Sequence, residues 1–242
     1  EAELDLCRAL GDTASRDGEV LSFQSLATRV LSQTGGISDI TLDNGGKILI
    51  MRRALQEVSS YLTVFSKPSQ RPAFLRELVA LADELYAYKI APSLLLQQVQ
   101  DIPGAAGDKL RSTALLFGAY DARLHGGDFD ARSKVQKLCD KLPNSDYLRG
   151  KDIYIDGFSY FNRTEEDIIA AALKQANSVT VTLLGDDSDP QLFRNSVQQR
   201  ERLRRLAKDA GCSCEVENLV RNSDTAFSHL ERHFFTAENM WA

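Results

Sequence analysis

Lys151-Asp152-Ile153-Tyr154-Ile155-Asp156-Gly157-Phe158 is the stretch on which the reading of this chain turns. Its apolar, β-branched and aromatic residues predict a strand from Asp152 to Asp156. The Asp-Gly pair that ends it is turn chemistry, because an aspartate can bond its own backbone and glycine accepts left-handed dihedrals. A strand finishing in an acid carries a carboxylate to the carboxyl rim of its sheet, which is where parallel α/β sheets bind ligands. Asp156 is therefore both a candidate ligand-facing acid and a candidate turn cap. Gly157, next to it, has no side chain with which to orient a water.

Working outward from this strand, the pattern alternates. Towards the carboxyl end, a helix opens at Thr164 with Asp167 three residues on, and a strand follows from Ser178 to Leu184. A helix from Pro190 to Ala210, a strand from Cys214 to Glu217 and a helix from Thr225 to Phe235 complete that half. Towards the amino end, Ala2 to Leu10 reads as a helix, Gly18 to Phe23 as a short strand, and Ser25 to Leu31 as a helix with Leu26, Val30 and Leu31 on one face. An opening inside a helix, without methionine, reads as a piece of something longer. Strands separated by helices imply parallel pairing.

Between Ser38 and Pro143 the pattern is nearly all helical: Ile48 to Phe65, Pro72 to Tyr88, Pro92 to Val99, Leu110 to Leu124 and Ala131 to Leu142. Glycine and proline punctuate these segments at Gly45-Gly46, Lys67-Pro68, Pro103-Gly104 and Gly126-Gly127. The expected organisation is an α/β domain from residues 1–37 and 147–242, interrupted by a helical insertion over 38–146.

The composition is that of a globular domain, 43% hydrophobic and 26% charged, with a net charge of −5 that excludes coating nucleic acid by bulk electrostatics. No apolar run approaches the roughly 20 residues that cross a bilayer, and the amino terminus lacks the layout of a secretion signal, so the expected location is cytoplasmic with no membrane partner. Cys7, Cys139, Cys212 and Cys214 read as reduced structural thiols, since Cys-x-Cys with no second pair is a poor metal pattern. The basic run Gln198 to Lys208 places Leu203, Leu206 and Ala207 at helical spacing, which makes it the solvated face of an amphipathic helix before it is a phosphate track. His125, His229 and His233 have no acid–base companions. Gly46-Lys47 is followed by Ile48, and Thr41 stands where the first glycine of a phosphate loop belongs, so no loop for β- and γ-phosphates is present.

Other segments join Asp156 in an ordered series. Leu21-Ser22-Phe23-Gln24-Ser25-Leu26-Ala27 resembles the Thr-Phe-His-Ser segment of superfamily 1 DNA helicases of the UvrD type, with Gln24 at the histidine. Ala119-Tyr120-Asp121 through Gly127-Asp128-Phe129-Asp130 resembles the helix and turn that close the helical subdomain of those enzymes; Asp128 and Asp130 read on their own as turn and cap residues. Gly185-Asp186-Asp187 resembles their Gly-Asp-x-x-Gln sensor, although Asp189 replaces the glutamine. In such motors a strand-end aspartate holds Mg²⁺ and a following glutamate polarises the attacking water; Gly157 stands in that place.

A closer resemblance, over essentially the whole chain, is to the B subunit of AddAB- and RexAB-type helicase-nucleases. It is carried by Val20 to Leu31, Met51-Arg52-Arg53-Ala54-Leu55, Thr63-Val64-Phe65, Lys141 to Gly150, Tyr154-Ile155-Asp156-Gly157-Phe158 and Leu230-Glu231-Arg232. The resemblance implies a RecA-like parallel sheet flanked by helices, of the P-loop helicase type, with a large all-helical insertion. It also implies a polypeptide that has lost ATP-driven translocation, guides single-stranded DNA, takes part in hotspot recognition and works beside a motor A subunit in double-strand break repair.

Ser22, Phe23, Gln24 and Ser25 would then touch nucleic acid, Gly185 and Asp186 would be sensor-like, and Asp156 would be a metal-site remnant with no catalytic residue beside it. Ser22 as a helix cap and Phe23 in the core are the competing readings. No cofactor is expected within this chain; ATP with Mg²⁺ and an iron–sulfur cluster belong to the wider family, the cluster at a distant nuclease. Two rival functions stay open: a genuine ATPase whose catalytic acid is Glu165 or Glu166, and a helical protein-binding adaptor.

Overall fold

A computed structural model describes residues 2–11, 18–35, 42–65, 71–126, 133–185 and 191–219. In chain order the helices are α1 (Ala2–Leu10), α2 (Phe23–Thr34), α3 (Asn44–Val58), α4 (Pro72–Ala87), α5 (Pro92–Val99), α6 (Gly104–His125) and α7 (Lys134–Lys141). Strand β1 (Asp152–Ile155), α8 (Arg163–Gln175), β2 (Ser178–Val181) and α9 (Arg194–Asp209) follow.

Local chemistry sets these boundaries. Pro72 and Pro92 occupy first-turn positions of α4 and α5, where the missing N–H costs nothing. Ser22, Asp43, Ser133 and Asn162 each accept a backbone N–H from the first turn of α2, α3, α7 and α8, satisfying one of the donors that a helix start leaves open. The cap of α8 is Asn162 paired reciprocally with Glu165, not Thr164 with Asp167 as the sequence suggested. Thr164 is buried and its hydroxyl donates to the Ala87 carbonyl at 2.9 Å, while Asp167 pairs with Lys89; these contacts tie the start of α8 to the end of α4.

Two apolar cores form among the described residues. The first gathers Met51, Ala54 and Leu55 from α3, Leu75, Leu78, Val79 and Ala82 from α4, and Leu116, Phe117, Tyr120 and Leu124 from α6. The second joins Ala27 and Val30 of α2, Leu138 of α7, Leu142, Leu148, and Ile168 and Ala172 of α8, with Ile153 and Val179 of the strands packed against it.

The α/β architecture expected from the sequence, a RecA-like parallel sheet flanked by helices, is not what the described residues form. The described residues are mostly helical, and the sheet among them is a single parallel pair in which Asp152, Ile153, Tyr154 and Ile155 lie opposite Ser178, Val179, Thr180 and Val181. The half-buried Ile153, Ile155, Val179 and Val181 face the helices, whereas Tyr154 on the opposite face is 75% exposed. A layered parallel sheet buries both faces; this one covers a single face.

Two expected strands fail for local reasons. Residues 18–22 are irregular because Ser22 caps α2 and the helix takes Phe23. Residues 214–217 are irregular and exposed throughout, with no burial to hold a pleat. The expected helix from Thr225 to Phe235, and Asp128 and Asp130, lie outside the described residues. The chain divides into two units, 1–212 and 213–242, the second described only over 213–219.

Candidate functional site at the carboxyl rim of the strand pair

Asp156 follows Ile155, the last paired residue of β1, and so stands at the carboxyl end of the strand pair. The ladder continues one step further, with Thr182 N–H donating to Ile155 C=O at 3.0 Å. The Thr182 hydroxyl donates to Asp156 Oδ1, and at the other end of the strands the Ser178 hydroxyl donates to Asp152 Oδ1 at 2.7 Å. Two carboxylate–hydroxyl rungs therefore flank Tyr154 on the bare face. Asp156 is exposed but engaged, and its bond to Thr182 was not legible in the sequence.

Gly157 turns the chain away with φ +82°, a left-handed conformation that L side chains rarely adopt. A Cβ built there meets nothing within 4 Å, so the requirement comes from the backbone alone. The turn delivers Phe158, whose ring centroid lies 5.3 Å from that of Phe23 and 5.2 Å from that of Phe161. Phe161 is only 1% exposed and anchors the group. The Phe-Gln-Ser and Asp-Gly-Phe segments, far apart in sequence, are thus brought together by three aromatic rings.

This contact also sorts the residues of the first segment. Phe23 is half-buried and packs against the second core. Ser22 caps α2, accepting from Ser25 N–H at 3.1 Å, and its hydroxyl lies 3.0 Å from that of Ser25. Gln24 is exposed, with its backbone carbonyl taken by Thr28. Among these four residues, Ser22, Gln24 and Ser25 form an exposed polar rim beside the aromatic cluster. Gly185 is exposed beyond β2, and Asp186 lies outside the described residues.

The donors for a magnesium nucleotide do not assemble here among the described residues. Asp156 has Thr182 as its partner, and no group of three His, Cys, Asp or Glu side chains is placed to hold a metal ion. Lys47 lies in the first turn of α3 and pairs with Asp83 at 2.7 Å. Glu165 accepts the Asn162 N–H at 2.9 Å, and burial raises its carboxyl above the usual range. Glu166 is 7% exposed and lies 3.4 Å from both Arg163 and Arg202. Both glutamates thus hold parts of the fold. His125 is exposed and bonds the Asp121 carbonyl, and Cys212 donates to the Leu173 carbonyl at 3.3 Å.

Among its described residues the chain is thus mostly helical, with a parallel strand pair whose first strand runs into an acid and a left-handed glycine. The family model described as "ADDB, N-terminal" matches residues 1–231, and the chain belongs to that family. A protein from Desulforamulus reducens, named as the B subunit of an ATP-dependent helicase/deoxyribonuclease, is 32% identical over 235 residues, covering 90% of this chain and 20% of the relative. Proteins of the same name from Clostridioides difficile, 31% identical over 69% of this chain and 15% of the relative, and from Bacillus mycoides, 28% identical over 91% and 20%, are similar too. The chain spans about a fifth of the length of most of these curated relatives. No helix among the described residues is long and apolar enough to cross a membrane.

Proposed function

We propose that this chain is a non-catalytic DNA-contacting and scaffolding part of the B subunit of an ATP-dependent helicase/deoxyribonuclease that acts in DNA repair and recombination, and that it works with single-stranded DNA and a motor-bearing A subunit. Membership of the AddB amino-terminal family and the shared name of its relatives support the complex. The observation that carries the non-catalytic reading is Gly157: its left-handed backbone disfavours any side chain at the position where a water-activating glutamate would stand. Thr182 engages the neighbouring Asp156, and the two nearby glutamates serve a cap and an arginine pair. ATP with Mg²⁺ and the iron–sulfur cluster belong, on this reading, outside the chain.

Single-stranded DNA suits the rim formed by Ser22, Gln24 and Ser25, which can donate to phosphate at the start of α2. The half-buried Phe23 serves chiefly to hold that rim against Phe158. The test is fluorescence anisotropy of a labelled thymidine oligonucleotide at low salt. Binding should weaken with added salt and in Gln24→Ala; a folded chain that binds no strand at low salt overturns the direct-contact part.

A further inference from the structure

A polar cleft opens between the end of α4, the first turn of α8 and the last turns of α9. It holds about 450 Å³ and is lined by Tyr88, Arg163, Glu166, Arg202, Arg205 and Asp209 together with Leu206. That volume lies within the range of small-molecule sites.

Its electrostatics are unbalanced. Glu166, at 7% exposure, sits beneath two guanidiniums, with Arg163 and Arg202 each 3.4 Å away, and Arg163 is also 3.6 Å from Asp167. Charge-assisted bonds of this type are ordinarily about 2.7–2.9 Å, so both contacts are long. The buried carboxylate therefore positions both arginines without saturating their donors. Arg205 is exposed and has no hydrogen bond or ion pair among the described residues. Aromatic surface is present as well: Tyr88, which lines the cleft, is 37% exposed.

We propose that this cleft is a nucleotide subsite, in which Arg202 and Arg205, together with Arg163, hold a phosphate of a single-stranded nucleic acid while Tyr88 offers ring surface to a base. Planar guanidiniums match phosphate oxygens in a two-point fashion, and bases stack on aromatic side chains whatever their sequence. Glu166 is a positioning residue. Asp209 opposes the anion and moderates the affinity. The inference rests on the single-strand reading for the source of the phosphate, but on residues other than Ser22, Gln24 and Ser25.

The experiment titrates a fluorescein-labelled thymidine oligonucleotide into the full chain across a range of salt, for the wild type, Arg205→Ala and Asp209→Asn. In parallel, inorganic pyrophosphate is titrated by calorimetry. Arg205→Ala should keep the melting temperature, weaken the strand roughly threefold to tenfold and reduce the salt slope by about 0.7. Asp209→Asn should tighten binding. If the wild type binds the strand while Arg205→Ala and Asp209→Asn change neither affinity nor slope, the cleft proposal is overturned and the single-strand reading stands. If the wild type binds no strand but takes up pyrophosphate in an Arg205-dependent way, the phosphate site stands and its nucleic-acid source falls. Uptake of neither overturns the site.

Discussion

Replacing Gly157 with alanine isolates the physical basis of the proposed inactivity. The residue has φ +82°, and a Cβ there meets no atom within 4 Å, so the substitution introduces no clash and removes no contact. What remains is the cost of holding an L-residue in the left-handed region, about 1–2 kcal/mol. For a chain of this size that lowers the melting temperature by roughly 2–8 °C. Gly157→Asn should recover part of the loss, because asparagine tolerates this conformation better than most residues. Gly157→Glu should cost about as much as alanine and create no ATP turnover.

Gly107 supplies the contrast. A Cβ at Gly107 falls 1.8 Å from the Ile102 carbonyl oxygen and 2.7 Å from its carbon, a clash with backbone that only movement of the first turn of α6 relieves. Gly107→Ala should therefore lose about 3 kcal/mol or more. Urea-induced unfolding measures both substitutions, and an ATPase assay with single-stranded DNA covers the glutamate variant. A Gly157→Ala chain as stable as the wild type, or DNA-stimulated turnover from Gly157→Glu, would refute the reasoning.

The Tyr147 hydroxyl donates to Glu19 at 2.8 Å, and this bond, ahead of the Arg29 charge, holds the Glu19 carboxyl below its ordinary 4.5. The resulting stability is fully present above that value and is lost as pH falls through the lowered one. Burial, and then Glu19, push the Tyr147 hydroxyl from 10 up to about 12, so the same clasp is lost again as pH rises across that interval. Melting temperatures from roughly pH 3 to pH 11 should flatten at both ends in Tyr147→Phe; an unchanged profile would remove the clasp from the account. For the cysteines, iodoacetamide should label exposed Cys7 and Cys214 first and reach Cys139 only on unfolding, since burial pushes its thiol to about 11 and it donates to the Thr164 carbonyl. Peptide mapping that finds Cys139 modified in step with Cys214 would contradict this.

The helices were legible where their signals are local. Pro92 to Val99 and Ala2 to Leu10 appear with the expected limits, because a first-turn proline and an apolar period act within a few residues. Pro72 fixed the start of α4 in the same way. Leu203, Leu206 and Ala207 correctly marked the inward face of α9, where Ala207 is buried and the two leucines are half-buried. The sheet was legible only in part. Asp152 to Ile155 and Ser178 to Val181 pair as parallel strands, but Gly18 to Phe23 and Cys214 to Glu217 do not, because a strand needs a neighbour and a buried face that its own residues cannot supply.

By itself, the sequence determined the turn after Ile155, the family to which the chain belongs, and the absence of a water-orienting side chain at position 157, all properties carried by a few adjacent residues or by their order. Only the tertiary structure decided that Thr182 bonds Asp156, that Phe23, Phe158 and Phe161 meet, and that arginines from α8 and α9 gather over Glu166. These contacts join residues distant along the chain. Their geometry follows from how helices and strands pack around a shared core, which no local pattern encodes.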